Sequence, residues 1–520
     1  MDNLKKYLPI IVVFIFTFSI RIFWICQKDY VFVDEPVSFS IISPNTLYEG
    51  KLFKTSNCSI FNFKTNYEYT TKEIRTLLFN NGGDFKSLIK DLKSLYLNDY
   101  DGGHSNFYYM LLRVWAFKLD NVGIDTIKLY GCSFNILLFS ITFFIMFKLL
   151  QLIVEEKKYI PYALFLSFIS TASVSCTVFP RMYQLQTVGM LLVTYIFCKV
   201  YLWINENKNW DILNRKNIII YSLALAFYLL TGYYSIIYTL ILFIVLIFFA
   251  QKNIKFNRFN ILKICSIIFL SMMFVLIVDR NYLNMSPEFV KASNDTFLNF
   301  NIFERELFAA FDLMQKTVFY PILMLYVLVL FLFSKKSTQE NNFNLLILII
   351  FTCSLIWSFI VLLISPVYGV RYFFPASSLL TFGFVYILQK FNFKHTIIFC
   401  SITMLLILIP NVRFNNFDTI RPFLFYVHDH NNFVFNNKAN LPIVFKDYQL
   451  SFQTIILNTN DNQKVVFVEK IPNKDFLYKN FVLFFVEKNI EKYKRELYLN
   501  NIVDFACTKF YDCYAVIDNQ

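Results

Sequence analysis

Long apolar runs separated by short basic clusters dominate this chain. From Tyr7 to Cys26 only Arg21 breaks an apolar stretch, and further runs lie near 125–150, 160–178, 183–203, 217–232, 234–250, 260–278, 318–334, 344–365, 369–389 and 395–410. A helix rises 1.5 Å per residue, so about 20 apolar residues cross the ~30 Å hydrocarbon core of a bilayer. The pattern predicts a polytopic α-helical membrane protein of about eleven spans. The first run is too long for a cleaved leader and has no small-residue cleavage site before the Asp34 region, so it reads as a retained signal anchor.

The connections carry charge at alternate positions. Lys157 and Lys158, then Lys208, Arg215 and Lys216, then Lys252, Lys255, Arg258 and Lys263, then Lys335 and Lys336, and finally Lys390 and Lys394 fall on the side of Lys5 and Lys6. Cytoplasmic loops hold the Lys and Arg excess, which places the N-terminus in the cytoplasm and the loops of Asp34, Arg181, Tyr233, Glu304 and Arg371 outside. An odd number of spans also puts the chain after about 411 outside. The stretch Asn106 to Leu119 is apolar but short and contains Arg113, and it reads as a helix lying along or dipping into the membrane. Were it to cross, every later loop would invert.

Two parts lack spanning character. Residues 27–124 form a long outer loop whose stretches Thr71 to Phe79 and Asp84 to Leu97 read as amphipathic juxtamembrane helices. Ile74, Leu77 and Leu78, then Leu88, Ile89, Leu92 and Leu95, recur there at helical spacing. Residues 411–520 alternate β-rich runs (Leu441 to Phe445, Val465 to Glu469, Phe481 to Val486, Ile502 to Ala506, Tyr514 to Ile517) with helix-like segments near 449–457 and 489–499. The expected layout is a membrane domain over 1–410, with a later outer loop at 279–317, and a small extracytoplasmic α/β domain over 411–520. Cys507 and Cys513 flank a candidate hairpin, paired or free according to the compartment.

Composition narrows the function classes. The 520 residues are 57% hydrophobic and 20% aromatic, which excludes an ordinary soluble domain and a disordered chain. A formal charge of +13 would attract nucleic acid, but the basic residues sit in loops between spans rather than on one soluble face, so no nucleic acid is expected. There is no GxxxxGK[ST] loop, no GxGxxG after a strand and no GxSxG elbow. No CxxC or closely spaced histidine ligand set occurs, and the neighbours His428 and His430 read as solvated.

What remains on the outer face is a constellation of Asp34 and Glu35, Asp101 and His104 in Asp-Gly-Gly-His, Arg181 in Phe-Pro-Arg-Met-Tyr, Tyr233 and Tyr234 in Thr-Gly-Tyr-Tyr, and Arg371 with Tyr372 in Tyr-Gly-Val-Arg-Tyr. A guanidinium can hold a phosphate bidentately while a carboxylate deprotonates an attacking hydroxyl, which fits direct transfer of a sugar from a lipid phosphate. One base acting on one face would invert the anomeric centre. Each residue also has a plainer reading. Asp34 can cap a helix beginning near Pro36, Arg181 and Arg371 can snorkel at span ends, His104 can bond loop backbone, the tyrosines can anchor the interface, and Glu304, Arg305 and Glu306 can be a solvated face.

The order Val-Asp-Glu, His104-Ser-Asn-Phe-Tyr-Tyr, Arg181-Met-Tyr, Thr231-Gly-Tyr-Tyr and Arg371-Tyr over residues 1–410 resembles bacterial glycosyltransferases of the GT-C fold. The resemblance is to the protein O-mannosyltransferase-like superfamily (family 39 type) that includes the lipid A aminoarabinose transferase. It implies a bacterial inner-membrane enzyme, a polyprenyl-phosphate-linked sugar donor, and a lipid, glycan or protein acceptor outside. By the same match Asp34 is the base, Glu35 supports it, and His104, Tyr108 and Arg371 line the substrate site. Relatives usually read His-Pro-Pro-Leu-Tyr-Tyr at the second motif, where this chain has Ser105, Asn106 and Phe107. No cofactor is required by the sequence. A divalent metal stays open, since carboxylates and a histidine can hold one but their spacing assembles no site. Two other classes fit many spans. One is a flippase or transporter of lipid-linked saccharides, which should show paired halves or broken helices, neither evident in the sequence; the other is a non-catalytic envelope assembly subunit.

Overall fold

The computed structural model describes residues 2–28, 34–42, 66–79, 83–97, 105–118, 122–253, 258–280, 282–283, 342–364, 370–390, 397–398, 400–402, 441–445, 456, 461–468, 478, 480–486, 502–507 and 512–518. The expected span at 318–334, most of that at 395–410, the helix-like segments near 449–457 (save Ile456) and 489–499, and Glu304 to Glu306 lie outside these residues. The chain divides into two compact units. The first comprises Met1–Gln27, Gly102–Tyr108 and Cys132–Phe423. The second comprises Lys28–Asp101, Tyr109–Gly131 and Leu424–Gln520.

The protein is a mostly helical membrane protein with a small sheet. Among the described residues, six helices are long and apolar enough to cross a membrane: Tyr7–Cys26 within α1 (Asp2–Cys26), Ile127–Ile153, Tyr183–Asn207, Ser235–Lys252, Asn260–Val278 and Leu345–Ile364. Ile127–Ile153 joins a π-helical turn (Ile127–Cys132) to α7 (Ser133–Ile153), after the short α5 (Phe107–Trp115) and α6 (Ile124–Thr126). Leu240, Phe248, Phe269 and Ile277 stay exposed on these helices, as lipid-facing side chains must.

Two runs that read as single spans are broken. Residues 160–178 form α8 (Ile160–Ile169) and α9 (Thr171–Val178), with a bend of 63° between them. At the break Ser170 is extended, and its hydroxyl accepts the Ser173 N–H at 3.2 Å, a cap that competes with continuing the helix. From Val370 the run expected over 369–389 becomes a 3-10 turn (Val370–Ala376) followed by short helices, because Pro375 offers no N–H to an α ladder. The Ser167 and Thr381 hydroxyls, one from each broken segment, lie 3.2 Å apart. A seventh apolar helix, α11 (Arg215–Leu230), has 16 residues. Helix α10 (Tyr183–Asn207) precedes it, and α12 (Ser235–Asn253), α13 (Arg258–Val278) and α14 (Asn342–Ile364) run between it and the broken turn.

Arg21, the lone charge in the first run, is fully buried. Its guanidinium donates to the Thr17 carbonyl (2.9 Å), Thr177 Oγ1 (3.0 Å) and Ser173 Oγ (2.9 Å), and lies 3.8 Å over the Phe139 ring. A charge on a spanning helix is tolerated where it faces the bundle interior and finds such partners. Thr177 passes the network on to Gln184, and Gln184 donates to Thr142 at 2.9 Å.

The second unit is built on a six-stranded sheet of order β1-β3-β2-β4-β6-β5. The five expected C-terminal strands are present as β2 (Ile443–Phe445), β3 (Lys464–Phe467), β4 (Asn480–Val486), β5 (Ile502–Cys507) and β6 (Asp512–Asp518). The central β2 pairs in parallel with β3 and β4, and these strands are near-continuously apolar, as strands covered on both faces are. Cys507 and Cys513 are register partners across β5 and β6. The sixth strand was not foreseen. β1 (Glu68–Thr70) comes from the first outer loop and pairs antiparallel with β3, Tyr69 opposite Val465.

Both amphipathic helices of that loop form, as α3 (Thr71–Phe79) and α4 (Phe85–Leu97). A reciprocal cap starts α3: the Thr70 N–H donates to Glu73 Oε2 (2.7 Å), while Thr70 Oγ1 accepts the Glu73 N–H (3.2 Å). These bonds hold the Glu73 carboxyl below its ordinary range. Asp84 caps α4 through the Ser87 N–H at 2.7 Å. The buried stripe of α4 is Leu88, Asp91 and Leu95, whereas Ile89 is exposed. Asp91 turns inward because Arg113 of α5 donates to it at 2.9 Å. At nine residues, α5 is about 14 Å long, less than half the thickness of a bilayer core.

Candidate functional site

Three of the sequence motifs meet in the first unit. Helix α9 stops before Pro180, and Asn135 Nδ2 donates to the carbonyls of Cys176 (3.3 Å) and Phe179 (2.7 Å) that its last turn leaves over. The chain turns through Arg181, which is buried, and α10 begins at Tyr183. Gln186, one turn on, donates to the Thr231 carbonyl at 3.1 Å. This contact explains the glycine of Thr231-Gly-Tyr-Tyr. Gly232 has φ +153°, and a Cβ there would lie 2.3 Å from Gln186 Nε2.

Tyrosine rings complete the junction. Tyr372 lies edge-on to Tyr183 (centroids 6.1 Å) and to Tyr234 (5.6 Å), so one ring of Arg371-Tyr touches both Arg181-Met-Tyr and Thr-Gly-Tyr-Tyr. Phe179 stacks on Tyr183 at 5.8 Å. Trp357 of α14 donates its indole N–H to the Tyr234 carbonyl at 2.8 Å. Arg371 belongs to the 3-10 turn, with its side chain outside the described residues.

The second motif is described from Ser105 onward; Asp101 and His104 lie outside the described residues. Tyr108 is buried beside Phe134 (6.0 Å), and Phe134 adjoins the Asn135 that holds the end of α9. Ser105 Oγ and the Asn106 N–H both donate to Asp279 Oδ2, at 2.8 and 3.1 Å. Asp279 directly follows α13 and is 1% exposed.

In the second unit, α2 (Asp34–Ile41) begins at Asp34 itself, so both acids and Pro36 occupy its first turn. The Asp34 side chain is outside the described residues. Glu35 is 0% exposed and takes the Lys28 ammonium at 2.5 Å, with Lys28 2% exposed. Helix α2 packs on α3, which continues from β1. Arg75 of α3 bridges to Asp461 (2.5 Å) and the Ile456 carbonyl (2.9 Å). The helix bearing Asp34 is thereby linked through α3 to the C-terminal sheet. Elsewhere in this unit, burial raises the Asp91 carboxyl above its ordinary range, and the Arg113 guanidinium opposes that shift.

Lys28, Gln186 and Asp279 went unmarked in the sequence. The signals for Lys28 and Asp279 were faint: each is the first residue of an oppositely charged pair, Lys28-Asp29 and Asp279-Arg280, just beyond the end of an apolar run. Among the described residues no group of three or more His, Cys, Asp or Glu side chains is placed to hold a metal ion. Compared with protein-family models, curated proteins and solved structures, the chain has no match.

Proposed function

We propose that this protein is an inverting glycosyltransferase of GT-C type that moves a sugar from a polyprenyl-phosphate donor to a lipid, glycan or protein acceptor outside the membrane. Asp34 is the general base. The observation that carries the reading is the junction of Tyr183, Tyr234 and Tyr372, which gathers two arginine-bearing motifs, distant in sequence, with Thr-Gly-Tyr-Tyr. A buried arginine, Arg181, in one of these motifs is suited to a phosphate leaving group. Asp34 at a helix N-terminus, in a turn held by the Lys28–Glu35 pair, is suited to serve as a fixed base. In this reading Glu35 acts by fixing that turn, while Asp101, His104, Tyr108, Arg181, Arg371 and Tyr372 contact or shape the substrate site. The full layout is eleven spans in a bacterial inner membrane with a cytoplasmic N-terminus and a C-terminal domain outside.

The broken segments at 160–178 and 370–390, joined at Ser167 and Thr381, favour a second reading, since transporters of lipid-linked saccharides also use broken helices. One experiment separates the two. Envelope glycans, lipid A and glycoproteins are compared by mass spectrometry in a deletion strain carrying either the native chain or Asp34→Asn at equal membrane abundance. Loss of one sugar mass, restored by the native chain alone, supports transfer. Full restoration by Asp34→Asn removes Asp34 as the base and leaves the transporter reading.

A further inference from the structure

We propose that Asp279 is a positioning residue of the substrate site, holding the segment that directly follows His104; the inference rests on the transferase reading. Asp279 Oδ2 receives two donors from consecutive residues, the Ser105 hydroxyl at 2.8 Å and the Asn106 backbone N–H at 3.1 Å. Ser105 Oγ also accepts the Phe107 N–H at 3.2 Å and so caps the first turn of α5. The three residues are buried.

A carboxylate removed from water is strongly disfavoured unless hydrogen-bond donors compensate, so packing alone gives no reason for an acid here. The tether reaches further into the site. The buried Tyr282, whose phenol is raised by burial and by the Asp279 charge, lies with its ring 5.2 Å from Tyr233 of Thr-Gly-Tyr-Tyr. Phe107 meets Phe227 of α11 edge-on at 5.8 Å. Asp279 is therefore the point at which the end of α13 fixes the second motif beside Thr-Gly-Tyr-Tyr.

The test uses the full-length protein in lipid nanodiscs, comparing native chain, Asp279→Asn, Ser105→Ala and the double variant. Hydrogen exchange over 105–115 is measured first. The tether requires at least a tenfold faster exchange of the Asn106 amide in Asp279→Asn; unchanged exchange overturns it, whatever the protein's activity. For the native chain's sugar transfer, the expected result is a tenfold or greater fall in kcat at constant donor KM for Asp279→Asn. The double variant should lose no more than the single one. Independent losses that add, or a kcat unchanged while exchange rises, overturn the positioning role. Absence of transfer by the native chain counts against the transferase reading, and the exchange result then decides the tether alone.

Discussion

Tyr69 and Val465 stand opposite one another in an antiparallel ladder, although one precedes the span at Ile127–Ile153 and the other follows every described span. Strands that share hydrogen bonds lie on one side of a bilayer, so an even number of crossings separates them. Lys72→Cys and Lys464→Cys, in a chain otherwise free of cysteine, are expected to react equally with a membrane-impermeant maleimide on spheroplasts. Lys252→Cys should react only after permeabilisation. Labelling of all three from outside would refute the orientation.

The Glu35–Lys28 pair predicts a stability effect separable from catalysis. Glu35→Gln removes the carboxylate that lies 2.5 Å from a buried ammonium, and breaking one partner of a buried pair costs about 3–5 kcal/mol, whereas replacing both partners with apolar residues is close to neutral. Thermal melts should therefore show Glu35→Gln well below the native chain and Lys28→Met/Glu35→Leu near it. Equal melts for the two would mean that the pair does not hold this turn.

Tyr372 predicts a size requirement at the motif junction. Tyr372→Ala removes a buried ring that touches Tyr183 and Tyr234, and a loss of about 3–5 kcal/mol is expected. Tyr372→Phe keeps both edge contacts and should cost less than about 1.5 kcal/mol. Guanidinium melts of the two variants in detergent check the contrast.

Asp91 predicts a pH dependence confined to α4. Its folded pKa is raised, so its contribution to stability is complete below the unfolded value, about 4, and is lost as pH rises through the folded one. Asp84 at the start of the same helix is shifted down and acts in the opposite sense, being lost as pH falls. Exchange protection of α4 amides, corrected for intrinsic rates, should therefore fall with rising pH by more in the native chain than in Asp91→Asn, which keeps Asp84 but cannot titrate at 91. Identical profiles would show that Asp91 does not titrate against this packing.

The alternation of apolar runs and turn residues was enough to place six helices of spanning length, both amphipathic helices of the first loop and five of the six strands, because each of these is set by local periodicity and burial preference. Breaks at Ser170 and Pro375 were visible as residues but not as breaks, since such residues interrupt a helix only where neighbours accept the freed backbone groups. The motifs could likewise be named one by one without being joined. That Tyr372 touches Tyr183 and Tyr234, that Asp279 takes its hydrogen bonds from Ser105 and Asn106, that Lys28 neutralises Glu35 and that β1 leaves its loop to extend a distant sheet were decided by tertiary structure alone. Desolvation is the physical reason. A charge or strand edge carries no local mark of its partner, and only packing determines which of them must be paired once water is excluded.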